Sequence, residues 1–146
     1  MGNVVFNVSK GSAAYLAGLP AASDQLVAVV LEAADLVDDA TMIDYDTLAA
    51  VLAGASTEQT TMGRKALTGV TVTVDDTADQ VTIDADDVLW TAATGDPTGA
   101  LLICYQPDTT SADADIIPFT KQDFTVTPDG NNIRAEFTSG YFYVTT

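Results

Sequence analysis

The sequence predicts a mainly β protein, a β-sandwich or jelly-roll-like barrel with one or two short helices packed at its side. Short alternating or apolar runs recur between turns rich in Gly, Pro and Asp. The acids are nearly all Asp, with Glu only at Glu32, Glu58 and Glu136; Asp suits turns, whereas Glu fills exposed helix faces. Thr and Val are abundant, as in loop-rich β proteins. With 146 residues, one domain over 1–146 with a single core is expected, and residues 1–20 read alternatively as an N-terminal arm reaching a neighbouring subunit. A hydrophobic fraction of 47% and a mean hydropathy of +0.20 argue against disorder.

In chain order, Asn3–Val8 is β-branched and aromatic and reads as a first strand. Ser9 then caps a brief helical turn through Tyr15 and Leu16, with Gly18 and Pro20 as stops. Gln25–Leu31 is a continuous apolar run of strand length, which implies burial on both faces. Thr41–Ala53 is the one long helical pattern. Thr41 and Asp44 suit a capping box, Asp44 and Asp46 place charge at the positive end of its dipole, and Gly54 stands where a left-handed cap belongs. Ile43, Leu48, Val51 and Leu52 make its apolar face, flanked by Met42 and Tyr45, and that face is expected to pack on the sheet. Ala55–Leu67 is polar and reads as a surface loop holding Arg64 and Lys65.

The stretch Val70–Gln106 organises the chain and reads as a small sheet written in order. Val70, Val72 and Val74 alternate with polar residues, as do Val81, Ile83 and Ala85 across the DDTADQ turn, giving a hairpin with one wet face. A short strand bearing Trp90 follows, then the apolar run ALLICYQ as a central strand. Pro118 marks Ile116–Phe119 as an edge strand or strand end. Phe124 and Val126, the Pro128-Asp129-Gly130 turn, and Ile133, Ala135 and Phe137 suggest a second hairpin, and YFYV at 141–144 a last strand.

Lys10, Arg64, Lys65, Lys121 and Arg134 are the only cations, against 21 acids, so the net charge is −16. Such a surface repels phosphate backbones and anionic membranes, which argues against nucleic-acid and membrane partners. It suits solubility, or a basic partner. The opening MGNVVF has no basic region and no long apolar run follows, so neither a signal peptide nor a membrane span is expected; Phe6 replaces the Ser or Thr that myristoylation of Gly2 would need.

The chain has no histidine and one cysteine. His-based nucleophile systems, His zinc sites, all-cysteine zinc sites and an intramolecular disulfide are therefore excluded, and Cys104 within LLICY reads as an inert buried thiol. Neither phosphate-binding glycine motif occurs. Hard-oxygen clusters at Asp84, Asp86 and Asp87, at Asp75, Asp76 and Asp79, and at Asp108, Asp113 and Asp115 could in principle hold calcium, but none has EF-hand spacing and solvated turns are the simpler reading. Trp90 and the Tyr141–Tyr143 pair could stack on sugar, although strand spacing favours core or interface. No catalytic residue, cofactor or metal ligand is assigned, and the expectation is that the chain is not an enzyme.

Several segments share a texture: NVVFNVSKG at 3–11, DATMIDYDTLAAVLAG at 39–54, LLICYQPDTT at 101–110 followed by IIP at 116–118, and Phe124 through the TPDG turn at 127–130. Together they resemble a family of small virion-associated proteins of tailed bacteriophages, encoded close to the major capsid gene. The resemblance runs nearly end to end and includes no catalytic motif. It implies a decoration or minor capsid protein on the outer surface of the phage head, made in the host cytoplasm. The implied partner is the major capsid protein, and the implied state a homo-oligomer, with a trimer among the options. Relatives often carry paired histidines where Lys121 and Gln122 stand here, so a metal or pH-sensing role at that place does not transfer. Candidate contact residues for the shell or a neighbouring subunit are Val4, Val5, Phe6 and Tyr15 at the N-terminus, and Arg64 and Lys65 in the loop. The alternatives are a neck or tail component of the virion, a carbohydrate-binding module and, third, an acidic-pair hydrolase.

Overall fold

A computed structural model describes residues 3–10, 13–17, 23–137 and 143–145. Gly2, the helix stops read at Gly18 and Pro20, and Tyr141 of the sugar-stacking pair lie outside them. Strand takes 35% of the residues and helix 16%, so the chain is mainly β, and its antiparallel sheets pack in a sandwich-like arrangement.

The frame is a five-stranded antiparallel sheet in the order β1 (Val4–Val5), β8 (Ile117–Asp123), β7 (Thr98–Gln106), β2 (Gln25–Glu32), β3 (Lys65–Ala66). β7 is central, as its unbroken apolar run predicts, and β2 pairs with it along its whole length. Side chains alternate across a strand. On one face Leu26, Ala28, Val30, Leu101, Ile103 and Tyr105 join a core with Ile83, Trp90, Phe119 and Ile133. On the other, Val27, Val29, Leu31, Ala100, Leu102 and Cys104 meet Phe6, Met42, Leu48, Val51 and Ile116. Both faces are therefore dry, which is why neither strand alternates in sequence. Each fully buried Val, Leu or Ile contributes roughly 1.5–3 kcal/mol, so this double burial supplies most of the driving force for folding.

The layer over the first face consists of two small sheets. One has the order β10 (Tyr143–Thr145), β5 (Gln80–Asp84), β4 (Thr71–Asp75); the other pairs β6 (Val88–Trp90) with β9 (Ile133–Ala135). The β4–β5 hairpin forms as expected, with Val72 opposite Ile83 and Val74 opposite Val81. The stretch 70–106 is nonetheless not one sheet in order: its strands serve three different sheets. The second hairpin is not formed either. Thr98 takes Val126 into backbone and side-chain bonds, and the Phe124 N–H donates to the Gly99 carbonyl, leaving β9 free to pair with β6.

Short helices cover the second face: α2 (Asp39–Met42) and α3 (Leu48–Ala53), while α1 (Ala13–Ala17) lies against β4 and β5. The single helix expected over Thr41–Ala53 is thus split. Between its halves the backbone bonds outward: the Ile43 carbonyl accepts from Asn7 N–H, and Leu48 N–H donates to the Ile116 carbonyl at 2.9 Å each. Capping follows the split, with Asp38 accepting from Thr41 N–H at 2.9 Å and Thr47 Oγ1 from Ala50 N–H at 3.2 Å. Gly54 is not left-handed, with φ −82°; Ala55 takes the positive φ of 83°. A Cβ at Gly54 would stand 2.2 Å from the Tyr45 hydroxyl oxygen, so a larger residue there needs the half-buried Tyr45 side chain to shift.

Pro118 sits near the start of β8 at a break in register opposite Cys104, where a missing N–H is tolerated. β8 continues to Asp123, well past the apolar run, because two polar side chains are buried in it. Lys121 is fully buried and donates through Nζ to Asp39 at 2.8 Å and Asp123 at 2.7 Å, tying α2 to the sheet. Thr120 Oγ1 is buried with no hydrogen-bond partner among the described residues. These neighbours give opposite expectations in urea unfolding. Lys121→Met removes the ammonium from Asp39 and Asp123, which keep some solvent, and should destabilise by about 2–3 kcal/mol, below the usual range for a wholly buried pair. Thr120→Val removes an unsatisfied hydroxyl without changing shape and should stabilise by about 1 kcal/mol.

The cap at α2 carries a pH signature. Hydrogen bonds from Thr41, backbone first, hold the Asp38 carboxyl below its ordinary 3.8. A carboxyl depressed by folding stabilises above its unfolded value, and that contribution disappears as pH falls through the lower folded value. Asp38→Asn keeps an acceptor but removes the charge. The wild-type advantage over this variant should be constant from neutral pH to about 5, then shrink below about 4, as read by urea unfolding across pH.

Candidate contact surface

The six residues singled out by sequence fall into different environments. Val4 and Val5 form the edge strand β1, opposite Lys121 and Thr120 of β8. Phe6 is fully buried and belongs to the helix-side core, so it cannot face a partner while the chain is folded. The segment is fastened to the body by the Phe6 N–H bond to the Phe119 carbonyl, by Ser9 Oγ donating to the carbonyls of Phe6 and Phe119, and by Asn3 Oδ1 accepting from Asp123 N–H. The strand is shorter than Asn3–Val8, since Asn7–Ser9 turns into a 3₁₀ helix, and Ser9 Oγ bonds back to β8. Removing the first fifteen residues would therefore take a core aromatic with it. Tyr15 on α1 is the most exposed large apolar side chain among the described residues, at 71%.

Arg64 is committed internally. Its guanidinium holds Glu58 through two bonds of 2.7 Å and reaches Asp113 at 2.7 Å. Bonding to Glu58 first, and to Asp113, raises its pKa further above the ordinary arginine value. The segment expected as a surface loop is likewise held against β2: Thr57 O accepts from Glu32 N–H, and Gln59 N–H donates to the Val30 carbonyl. Gln59 is buried, its Nε2 donating to the Asp96 carbonyl at 2.9 Å and its Oε1 accepting from the N–H groups of Thr61 and Met62. Lys65 follows as part of β3, paired with Ala28. The linker thus covers the β2 edge, which its polar composition did not signal.

The Asp clusters separate in space. Asp84 Oδ1 accepts from Ala85 N–H, Asp86 takes the Thr68 hydroxyl, and Asp87 pairs with Arg134 and accepts from Phe137 N–H. Asp75 and Asp108 each close a turn on residues just ahead of them, and Asp113 goes to Arg64. Among the described residues no group of three or more Cys, Asp or Glu side chains gathers where a metal ion could sit. Trp90 is a core residue: its indole Nε1 donates to the Gly63 carbonyl at 3.0 Å and its ring lies 5.9 Å from that of Phe124. Cys104 is buried in the central strand, and burial pushes its thiol pKa well up, away from the thiolate. An open groove of about 380 Å³ beside Ala33, Leu36, Thr98, Gly99, Asp123 and Thr125 has the Thr98 hydroxyl already bonded to Phe124 O and Val126 N–H. Among the described residues no helix is long and apolar enough to cross a membrane.

Of the large exposed apolar side chains among the described residues, Leu89 lies on β6 and the two most exposed lie on the hairpin side of the molecule. Val74, on the face that Val72 turns to the core, extends past that core and is 64% exposed, and α1 with Tyr15 lies against the same hairpin. The sequence reading named Tyr15 but passed over Val74; the run TVTVDD, an apolar alternation ending among acids, was the available signal. Comparison with family models, with curated proteins and with solved structures finds no match to this chain.

The role of Arg64 as an internal clamp is testable. Arg64→Ala leaves the largely buried Glu58 without its partner and should destabilise by about 1–2 kcal/mol in urea unfolding, whereas Lys65→Ala should change stability by less than about 0.5 kcal/mol.

Proposed function

We propose that this chain is a non-enzymatic structural protein of a tailed-bacteriophage virion. It decorates or stabilises the head shell by binding the major capsid protein, as a homo-oligomer on the outer surface. The resemblance of several of its segments, nearly end to end, to small virion proteins motivates this reading. The observation that carries it is the pairing of a stiff body with an open face. A sheet buried on both sides holds its shape, while Val74 and Tyr15 present apolar surface beside the acids of the β4–β5 hairpin. A shell offers one site many times over, which favours a preformed surface over one that must order on binding. With Phe6 and Arg64 engaged inside, the contact keeps Tyr15 from the sequence-derived set and adds the hairpin. A net charge of −16 steers this face toward a basic patch.

Quantitative mass spectrometry of purified virions tests the proposal. A copy number on the order of hundreds, in simple ratio to the major capsid protein, is the expected result for repeated shell sites. A few copies per particle would move the chain to the neck or tail. Its absence from virions would overturn the proposal.

A further inference from the structure

Resting on that reading of the hairpin face, we propose that the outer edge of β4 receives an added β-strand from its partner, an extended segment carrying Lys or Arg. β4 runs five residues, Thr71–Asp75, pairs with β5 without a register break, and is the end strand of its sheet. Its other edge therefore presents backbone N–H and C=O groups on which, among the described residues, no strand is laid. Protein edges are ordinarily blunted by shortness, Lys, Pro or a bulge. The other end strands here follow that rule, being two residues long at β1 and β3 and three at β6, β9 and β10, with Lys65 on β3 as well. β4 is longer, has no Lys, Pro or bulge, and carries only the terminal Asp75 as a charge, with α1 packed against the hairpin. Four of its five residues are exposed, and its sequence TVTVD is strongly β-forming.

Charge selects the occupant. Asp75, Asp76 and Asp79 stand at one end of this edge, and Asp84 and Asp86 at the other, where Asp84 is opposite Thr71 and Asp86 bonds to Thr68. A second copy pairing antiparallel through its own β4 would bring its hairpin acids against these, like charge upon like charge. A strand with basic residues at its ends would instead meet carboxylates at both. Main-chain bonds would supply affinity, and the exposed Val74 a side-chain contact.

The test uses the full chain and two probes: a short Lys-flanked peptide of alternating Val and Thr, and shells assembled from the major capsid protein of the same phage. Amide hydrogen exchange is followed with each probe, beside binding by Thr73→Lys and Thr73→Glu, which alter an exposed side chain only. The expected result is slowed exchange confined to residues 71–75 with both probes. Binding should weaken about fivefold or more in Thr73→Lys and be kept or strengthened in Thr73→Glu. Shell binding without protection of 71–75 overturns the added strand and keeps the decoration reading. Peptide binding at this edge without shell binding keeps the edge and discards decoration. Binding by neither probe, or equal binding by both variants, overturns the proposal.

Discussion

Everything in this molecule depends on the pairing of β2 with β7. These strands are long, adjacent and central, and the side chains of Leu26–Leu31 and Ala100–Tyr105 alternate between two dry cores. An amide in such a sheet has no water to return to, so breaking one ladder bond exposes groups that nothing else satisfies. The helices, the small sheets and the N-terminal strand are all attached to this frame. None of them is long enough to persist without it: α2 has four residues and α3 six, far below what an isolated helix needs in water.

That dependence explains which parts of the fold were legible in sequence. QLVAVVL and ALLICYQ announce double burial because no alternation interrupts them, and the 71–84 hairpin announces a half-wet sheet because alternation is strict. What could not be read was set by partners distant in the chain. The helix break at 43–47 exists because Asn7 and Ile116 offer backbone partners there. The missing second hairpin reflects the hold of Thr98 on 124–126. Gly54 reads as a left-handed cap, but the positive φ falls one residue later, on Ala55, which no local pattern encodes.

The candidate contact residues illustrate the same limit. An apolar, β-forming N-terminus reads equally well as an arm or as an edge strand, and only the burial of Phe6 distinguishes the two here. Arg64 and Lys65 stood out because cations are scarce, yet scarcity is also the reason an arginine would be held by Glu58 and Asp113 in a chain so rich in acids. Lys121, another of the five cations, is drawn wholly inside by the same logic. Tyr15 alone kept the exposure that a contact residue needs. In the Asp-rich stretches, Asp75 and Asp108 close turns, Asp38 caps a helix, and Asp87 and Asp113 pair with arginines.

A stiff frame with a hairpin anchored on one side through Ile83 gives the proposed contact face its character: the frame fixes where the face is, and β4 is the end strand of its sheet. The central claim beneath this is that β2 and β7 form the most stable unit and β4 one of the least. Native-state hydrogen exchange of the isolated protein measures that order directly. The account predicts that amides of β2 and β7 exchange only through global unfolding, while the outward amides of β4 exchange fastest among the strands. Exchange from β2 or β7 as rapid as that from β4 would contradict it.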